Sequence, residues 1–327
     1  MLLDTSATIL QKAKERWDAH AAENRRVVLL YALPALLLPL VVMAINLLLD
    51  TQLDTAGGLS GIGFRSALQT VQTVLNTALS VLLPFWQLGL VFAAVRINAG
   101  NTASRDDLFE GFRRWGAALR LQILRNLRYI LRMIGGIFIG SLLFSVTPLS
   151  DGFLNALDIV TETPGLENLT NEELMALMEE HISFGDLLPL YLLSAVGALI
   201  MVAPLFYKYR LSDYALLTSD KPGAFAALQE SSLLMLGNRM RLFKLDLCLW
   251  WYYLFAFLVT LISFGDLILP LLGISLPFSP NIAIAIFALI STVLELLLYY
   301  FFRGRVETTY ACVYESLKPS KKEEVLC

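Results

Sequence analysis

One carboxylate, Glu295, stands well inside a long apolar run, where an acid costs roughly 2.5–3.5 kcal/mol unless it is paired or wetted. It is the first residue to consider for chemistry. About two-thirds of the way along its run, it is placed to meet Arg96, Arg132 or the polar Gln87 from neighbouring helices. Two outcomes stay open. Glu295 can be held as a buried pair or as a protonated carboxyl bonded to a neighbour, or it can serve a relay or transport path. A more scattered set, Asp213, Glu230 and Arg241, is what a lipid-modifying enzyme would need at a membrane interface. Asp246 and Arg132 lie close enough to the ends of their runs to snorkel.

Local catalytic patterns are missing. Gly57-Gly58 and Gly61-x-Gly63 have no preceding strand and no Lys in the place a phosphate loop requires. No HExxH, GxSxG, paired-Cys or Walker motif occurs, and neither His20 nor His181 has a catalytic partner nearby in sequence. Cys248, Cys312 and Cys327 leave little material for a metal site or a disulfide framework. The expectation is a chain with no cofactor, no metal and no enzymatic activity.

The elements that position Glu295 must be membrane helices. Of 327 residues 57% are hydrophobic and 16% charged, with a mean hydropathy of +0.64, too apolar for a soluble domain. The apolar residues fall in runs of the length that crosses about 30 Å of hydrocarbon. Six spans are expected, at 27–49, 74–95, 129–146, 187–207, 245–264 and 281–302. The fold class is then an all-α membrane protein, a single polytopic domain over 1–317 with a flexible tail, 318–327. The charged stretch Gln11–Arg26 and the prolines Pro34 and Pro39 argue that the first span is retained rather than cleaved as a signal.

Basic residues set the orientation. Of the 25 Lys and Arg, only Arg65 falls on the side opposite the termini. The N- and C-termini are therefore expected in the cytoplasm. The outer segment 148–186 has no Lys or Arg but nine acids, a solvated cap or a docking place for a cationic or protein partner. Within it Thr170 and Glu173 form a capping-box pattern before Leu174, Leu177 and Met178, which predicts a short amphipathic helix. Asn168-Leu-Thr170 is a glycosylation sequon.

The chain also resembles itself. The segment from Pro84 is similar to that from Pro204, with Leu119-Arg120-Leu121 opposite Met240-Arg241-Leu242, and the termini supply a third, split copy. Repeated hairpins with rough threefold pseudosymmetry follow. Each connector is expected to hold an amphipathic helix. The first has Ser104 as cap and an apolar stripe of Leu108, Phe112, Trp115 and Leu119 opposite Arg113 and Arg114. The second has Asp220 as cap, Pro222 in the first turn, Phe225, Leu228 and Leu236 as apolar contacts, and Gly237-Asn238 as stop, followed by Arg239 and Arg241. Such helices lie on anionic lipid at the inner leaflet or form a floor beneath the bundle. Gly135-Gly136-x3-Gly140 and Ser194-x3-Ala198 are small-residue faces for close helix packing.

Tyr209-Arg-Leu-Ser-Asp-Tyr214, Asp220-Lys-Pro, Leu236-Gly-Asn-Arg-Met-Arg-Leu-Phe-Lys-Leu245 and Trp250-Trp251 together resemble an uncharacterised bacterial integral-membrane family, domain of unknown function 975. The resemblance is clearest over 200–255 and implies a multi-span protein with no established activity. A more distant likeness is to the membrane portion of some glycerophosphodiester phosphodiesterases. The functional expectation is a non-enzymatic scaffold or envelope-associated helper that touches the bilayer and no nucleic acid. The alternatives are a small transporter with a path past Glu295 and a membrane lipid-modifying enzyme.

Overall fold

A computed structural model describes residues 5–55, 60–162, 184–218, 223–271, 273, 274, 277 and 279–318. The Thr170–Glu173 capping box and its helix, the sequon, Asp220, Pro222, Gly57-Gly58 and the end of the tail lie outside the described residues. Every regular element among the described residues is helical. The protein is an all-α membrane protein. Five helices are long and apolar enough to cross a bilayer, and a bent pair raises the number to six.

Two compact units divide the chain, one comprising 1–122 and 211–327, the other 123–210. The first opens with α1 (Ser6–Asp18), followed by two long helices, α2 (Ala21–Thr55) and α3 (Ser60–Asn98). Pro34 and Pro39 lie within α2 and Pro84 within α3. A 3₁₀ turn (Arg105–Phe109) and a single turn, α4 (Glu110–Arg113), lead to α5 (Trp115–Ser145). The unit resumes with α8 (Ser212–Thr218), α9 (Ala224–Leu234), α10 (Arg239–Cys248), α11 (Trp250–Ser263), α12 (Gly265–Leu271) and α13 (Pro280–Leu298). A π turn (Tyr299–Arg303) joins α13 to α14 (Gly304–Leu317).

This last helix is the post of the unit. Val306 through Tyr314 are buried on every side, the pattern of a helix enclosed by others, here α1 and α3 among them. A crossing needs only about twenty residues, and 281–302 supply that length before Arg303. In α14, which follows, Glu307 is buried and Glu315 exposed.

Over the expected span 245–264 the chain is bent rather than one straight helix. The helix breaks at Leu249, and α10 and α11 meet at 70°. The reason is chemical: Lys244 and Asp246 cannot follow the apolar stretch Trp250–Ser263 into hydrocarbon, and Asp246 is held by Tyr310 and Tyr253 instead. The first connector also differs from its expected amphipathic helix. Trp115 is the first residue of the 31-residue α5 rather than part of a separate surface helix. Leu108 is buried, and Phe112 packs against Phe85 and Trp86. In the second connector Gly237 takes φ +79°, the left-handed stop its position predicts. Leu228 is buried there while Phe225 and Leu236 are exposed.

In the second unit α5 runs beside α7 (Phe184–Tyr209), with α6 (Asp151–Thr161) after a 3₁₀ turn (Pro148–Ser150). Gly136 and Gly140 press on the backbone of Gly197 and Leu193, where an added Cβ would come within 2.4 Å of a carbonyl oxygen. Ser141 and Ser194 bond across the seam at 3.3 Å. The small-residue faces therefore meet, with backbone touching backbone.

Candidate functional site

Ser291, Glu295 and Tyr299 follow one another at four-residue intervals, so they share one face of α13 and the turn after it. That face opens on two voids. The larger, about 540 Å³, is bounded by Tyr31, Leu36, Pro39, Leu40 and Met43 of α2 and by Leu83 and Gln87 of α3. Ile284, Ala288 and Thr292 of α13 complete its wall. The smaller, about 190 Å³, lies toward Tyr252, Ala256 and Thr260 of α11 and toward Arg303. Ser263, Ser291, Glu295 and Tyr299 line both voids and so form the partition between them.

Glu295 is half-buried in this partition, with Tyr299 one turn along the same face. The Tyr299 ring stacks on Tyr31 with centroids 5.9 Å apart. One turn further, Arg303 lies with its guanidinium 5.7 Å from the centre of the Tyr299 ring. Widened turns of this π type recur at functional positions in helices. Here the turn carries the chain from the cavity face into a buried ionic floor. Arg303 pairs with Glu307 at 2.8 Å and donates to the Tyr252 hydroxyl at 3.1 Å. Glu307 in turn accepts from the Tyr214 hydroxyl at 2.7 Å.

Below the floor, polar side chains continue along α14. Tyr310 and Tyr253 meet Asp246. The Tyr314 hydroxyl donates to Glu230 at 2.7 Å and lies 2.7 Å from Thr218 Oγ1. Asn98 donates to Glu315 at 2.7 Å and accepts from the Cys312 thiol, while Arg16 bonds both Asn98 and Glu315. Burial pushes the Cys312 thiol up to about 11, so it stays protonated at neutral pH.

Among the residues that the sequence singled out, Gln87 and Glu295 line the same cavity. Arg96 does not serve Glu295; its nearer acid is Asp107, eleven residues on and buried, at 2.8 Å. Arg132 belongs to the second unit and is exposed on α5. Arg113 is largely exposed, whereas Arg114 is tied to Glu110 and to the Leu216 carbonyl. Phe225, Met240 and Trp250 are exposed, with Arg239 and Arg241 half-exposed beside them. Of the set Asp213, Glu230 and Arg241, Glu230 holds Tyr314 and Arg241 lies by Asn238. The sequence reading missed Tyr31, Tyr214, Tyr252, Arg303 and Glu307. One signal was present: Glu295, Tyr299, Arg303 and Glu307 form an unbroken four-residue ladder across the end of the last span.

Neither the curated proteins nor the solved structures contain a match to this chain, and the likeness to the phosphodiesterase membrane portion gains no support. A family model described as "Protein of unknown function (DUF975)" matches residues 4–321. That match spans nearly the whole chain, which therefore belongs to this family.

Proposed function

We propose that this chain is a transporter of the bacterial plasma membrane, non-enzymatic and with both termini in the cytoplasm, whose solute passes Glu295. The observation that carries the reading is the partition: one intramembrane carboxylate stands between two voids, with an ionic floor on the basic side. An acid is costly in an apolar span unless it is paired or wetted, and these two clefts open beside it. In this reading the larger void faces outward. The Arg303–Glu307 pair then closes the cytoplasmic end, and repeated hairpins supply the surrounding helices.

The exposed stripe Leu236, Met240, Phe243, Leu247 and Trp250, flanked by Arg239 and Lys244, suits the inner leaflet and its anionic lipids. A scaffold or helper that docks through 148–186 is the other reading. Deleting that loop without changing any copurifying partner would count against it.

Thiol accessibility tests the transporter reading. In a background lacking Cys248, Cys312 and Cys327, Ala288→Cys and Thr292→Cys should react with a membrane-impermeant methanethiosulfonate added outside. Leu289→Cys and Val293→Cys, on the exposed lipid-facing side of α13, should not. Silence at both cavity positions in folded protein would overturn the reading, since no water path would reach Glu295.

A further inference from the structure

We infer that the Glu295 cavity takes a singly charged organic cation with an apolar body, of the quaternary or lipophilic ammonium type. The inference rests on reading the cavity as a solute site and names what it selects. Charge is the first argument. Among the described residues that line the larger void, Glu295 is the one Asp, Glu, Lys or Arg side chain. Arg303 faces the smaller one, with its charge committed to Glu307. An anion would meet a carboxylate with no compensating base, and a dication would leave one charge unbalanced in a low-dielectric site.

The walls decide between a metal ion and an organic cation. A hard metal ion asks for about six to eight oxygen ligands within 2.6 Å. Among the described residues no cluster of three His, Cys, Asp or Glu side chains exists. The oxygens of Tyr31, Gln87, Ser263 and Thr292 are spread over four helices around the void. The rest of the surface is aliphatic, chiefly Leu36, Leu40, Met43, Leu83 and Ile284. An apolar body buries itself there by the same effect that fills a protein core.

Aromatic rings supply the third argument. Tyr31 and Tyr299 line the void beside the carboxylate, stacked on each other with Arg303 over the Tyr299 ring, so an onium ion meets the remaining aromatic surface together with the counter-charge. At about 540 Å³ the void matches the size of sites that take drug-sized molecules. A neutral solute would fill the walls but leave the Glu295 carboxylate without a counter-charge. A monovalent onium ion satisfies walls, rings and carboxylate together.

The test uses tritiated tetraphenylphosphonium and the protein in nanodiscs of neutral phosphatidylcholine, with empty discs subtracted. Saturable binding of one cation per chain is expected, at least tenfold weaker in Glu295→Gln. Glu23→Gln, which removes an exposed acid elsewhere, should bind as the parent does. Tetraphenylborate, of the same shape and opposite charge, should show no saturable binding when measured separately. Size-exclusion retention of Glu295→Gln establishes that its loss is not misfolding. No saturable phosphonium binding, equal binding by Glu295→Gln, or equal binding of the borate would each overturn the inference. If Ala288→Cys and Thr292→Cys label while phosphonium fails to bind, the cation class falls and the solute path stands. If labelling also fails, the transporter reading falls with it.

Discussion

Replacing Glu307 by Gln is the sharpest perturbation of the ionic floor, because it keeps the shape and removes only the charge. Glu307 is 7% exposed and Arg303 19%, so neither is well solvated. Gln keeps an oxygen for the Tyr214 hydroxyl now 2.7 Å away, and Arg303 keeps its Tyr252 contact at 3.1 Å. What disappears is the counter-charge. The guanidinium cannot shed its proton, and its Nε already lacks a partner among the described residues. Stripping one member from a buried pair of this kind costs about 3–5 kcal/mol.

The reverse change should cost less. With Arg303→Met the stranded partner is a carboxylate, which can neutralise itself by taking a proton. The double variant Arg303→Met, Glu307→Gln removes both charges and should recover most of the loss. SDS titration in mixed micelles, followed by tryptophan fluorescence, gives the three unfolding free energies and closes a double-mutant cycle. A loss under about 1 kcal/mol for Glu307→Gln would refute the reasoning, as would a double variant less stable than the sum of the two single changes. The first result would mean that water reaches the pair.

Two further outcomes follow from packing. Gly197→Ala would place a Cβ 2.3 Å from the Gly136 carbonyl oxygen, about 1 Å inside ordinary contact, so α5 and α7 must separate. Thermal inactivation of the detergent-solubilised variant should come at lower temperature, whereas Gly116→Ala, which meets nothing within 4 Å, should be neutral. In a Cys327→Ser background, N-ethylmaleimide at pH 7.5 should label the exposed Cys248 and spare Cys312, which burial and the raised thiol value protect. Quantitative labelling of Cys312 by mass spectrometry before unfolding would contradict the burial of α14.

Where the sequence reading succeeded, one local physical signal dominated. Apolar runs about twenty residues long revealed α2, α3, α5, α7 and α13, because hydrocarbon thickness constrains length directly. Gly136, Gly140 and Ser194 were legible as a seam for a similar reason: small residues in an apolar helix have few other uses. The bend in the sixth span was not legible because hydropathy averages over direction. The window across 245–264 is apolar apart from Asp246 and a few hydroxyls, yet the axis turns by 70° at Leu249 and Asp246 lies among hydroxyls. Arg96 misled in another way. Its nearer acid, Asp107, sits in the connector's first turn, where the carboxylate also accepts from the Ser104 amide at 2.7 Å. A search for a distant partner passed over that local one.

Glu295 was legible as an expensive residue, but its surroundings were not, since Tyr31, Tyr214 and Tyr252 carry no mark in sequence that separates them from interfacial anchors. Those surroundings bear on whether Glu295 is structural or functional. A structural acid at this depth has an obvious mate in Arg303, two turns along the same helix. The structure gives that guanidinium to Glu307 at 2.8 Å and gives Glu295 a cavity wall beside Tyr299. Pairing Glu295 with Arg303 would have offset two desolvation costs at once, and Glu307 could have stayed near water. The opposite arrangement leaves the intramembrane charge facing space that a cation can occupy. It also seals the end of the bundle beneath that space, and this division supports a site that binds over a pair that braces.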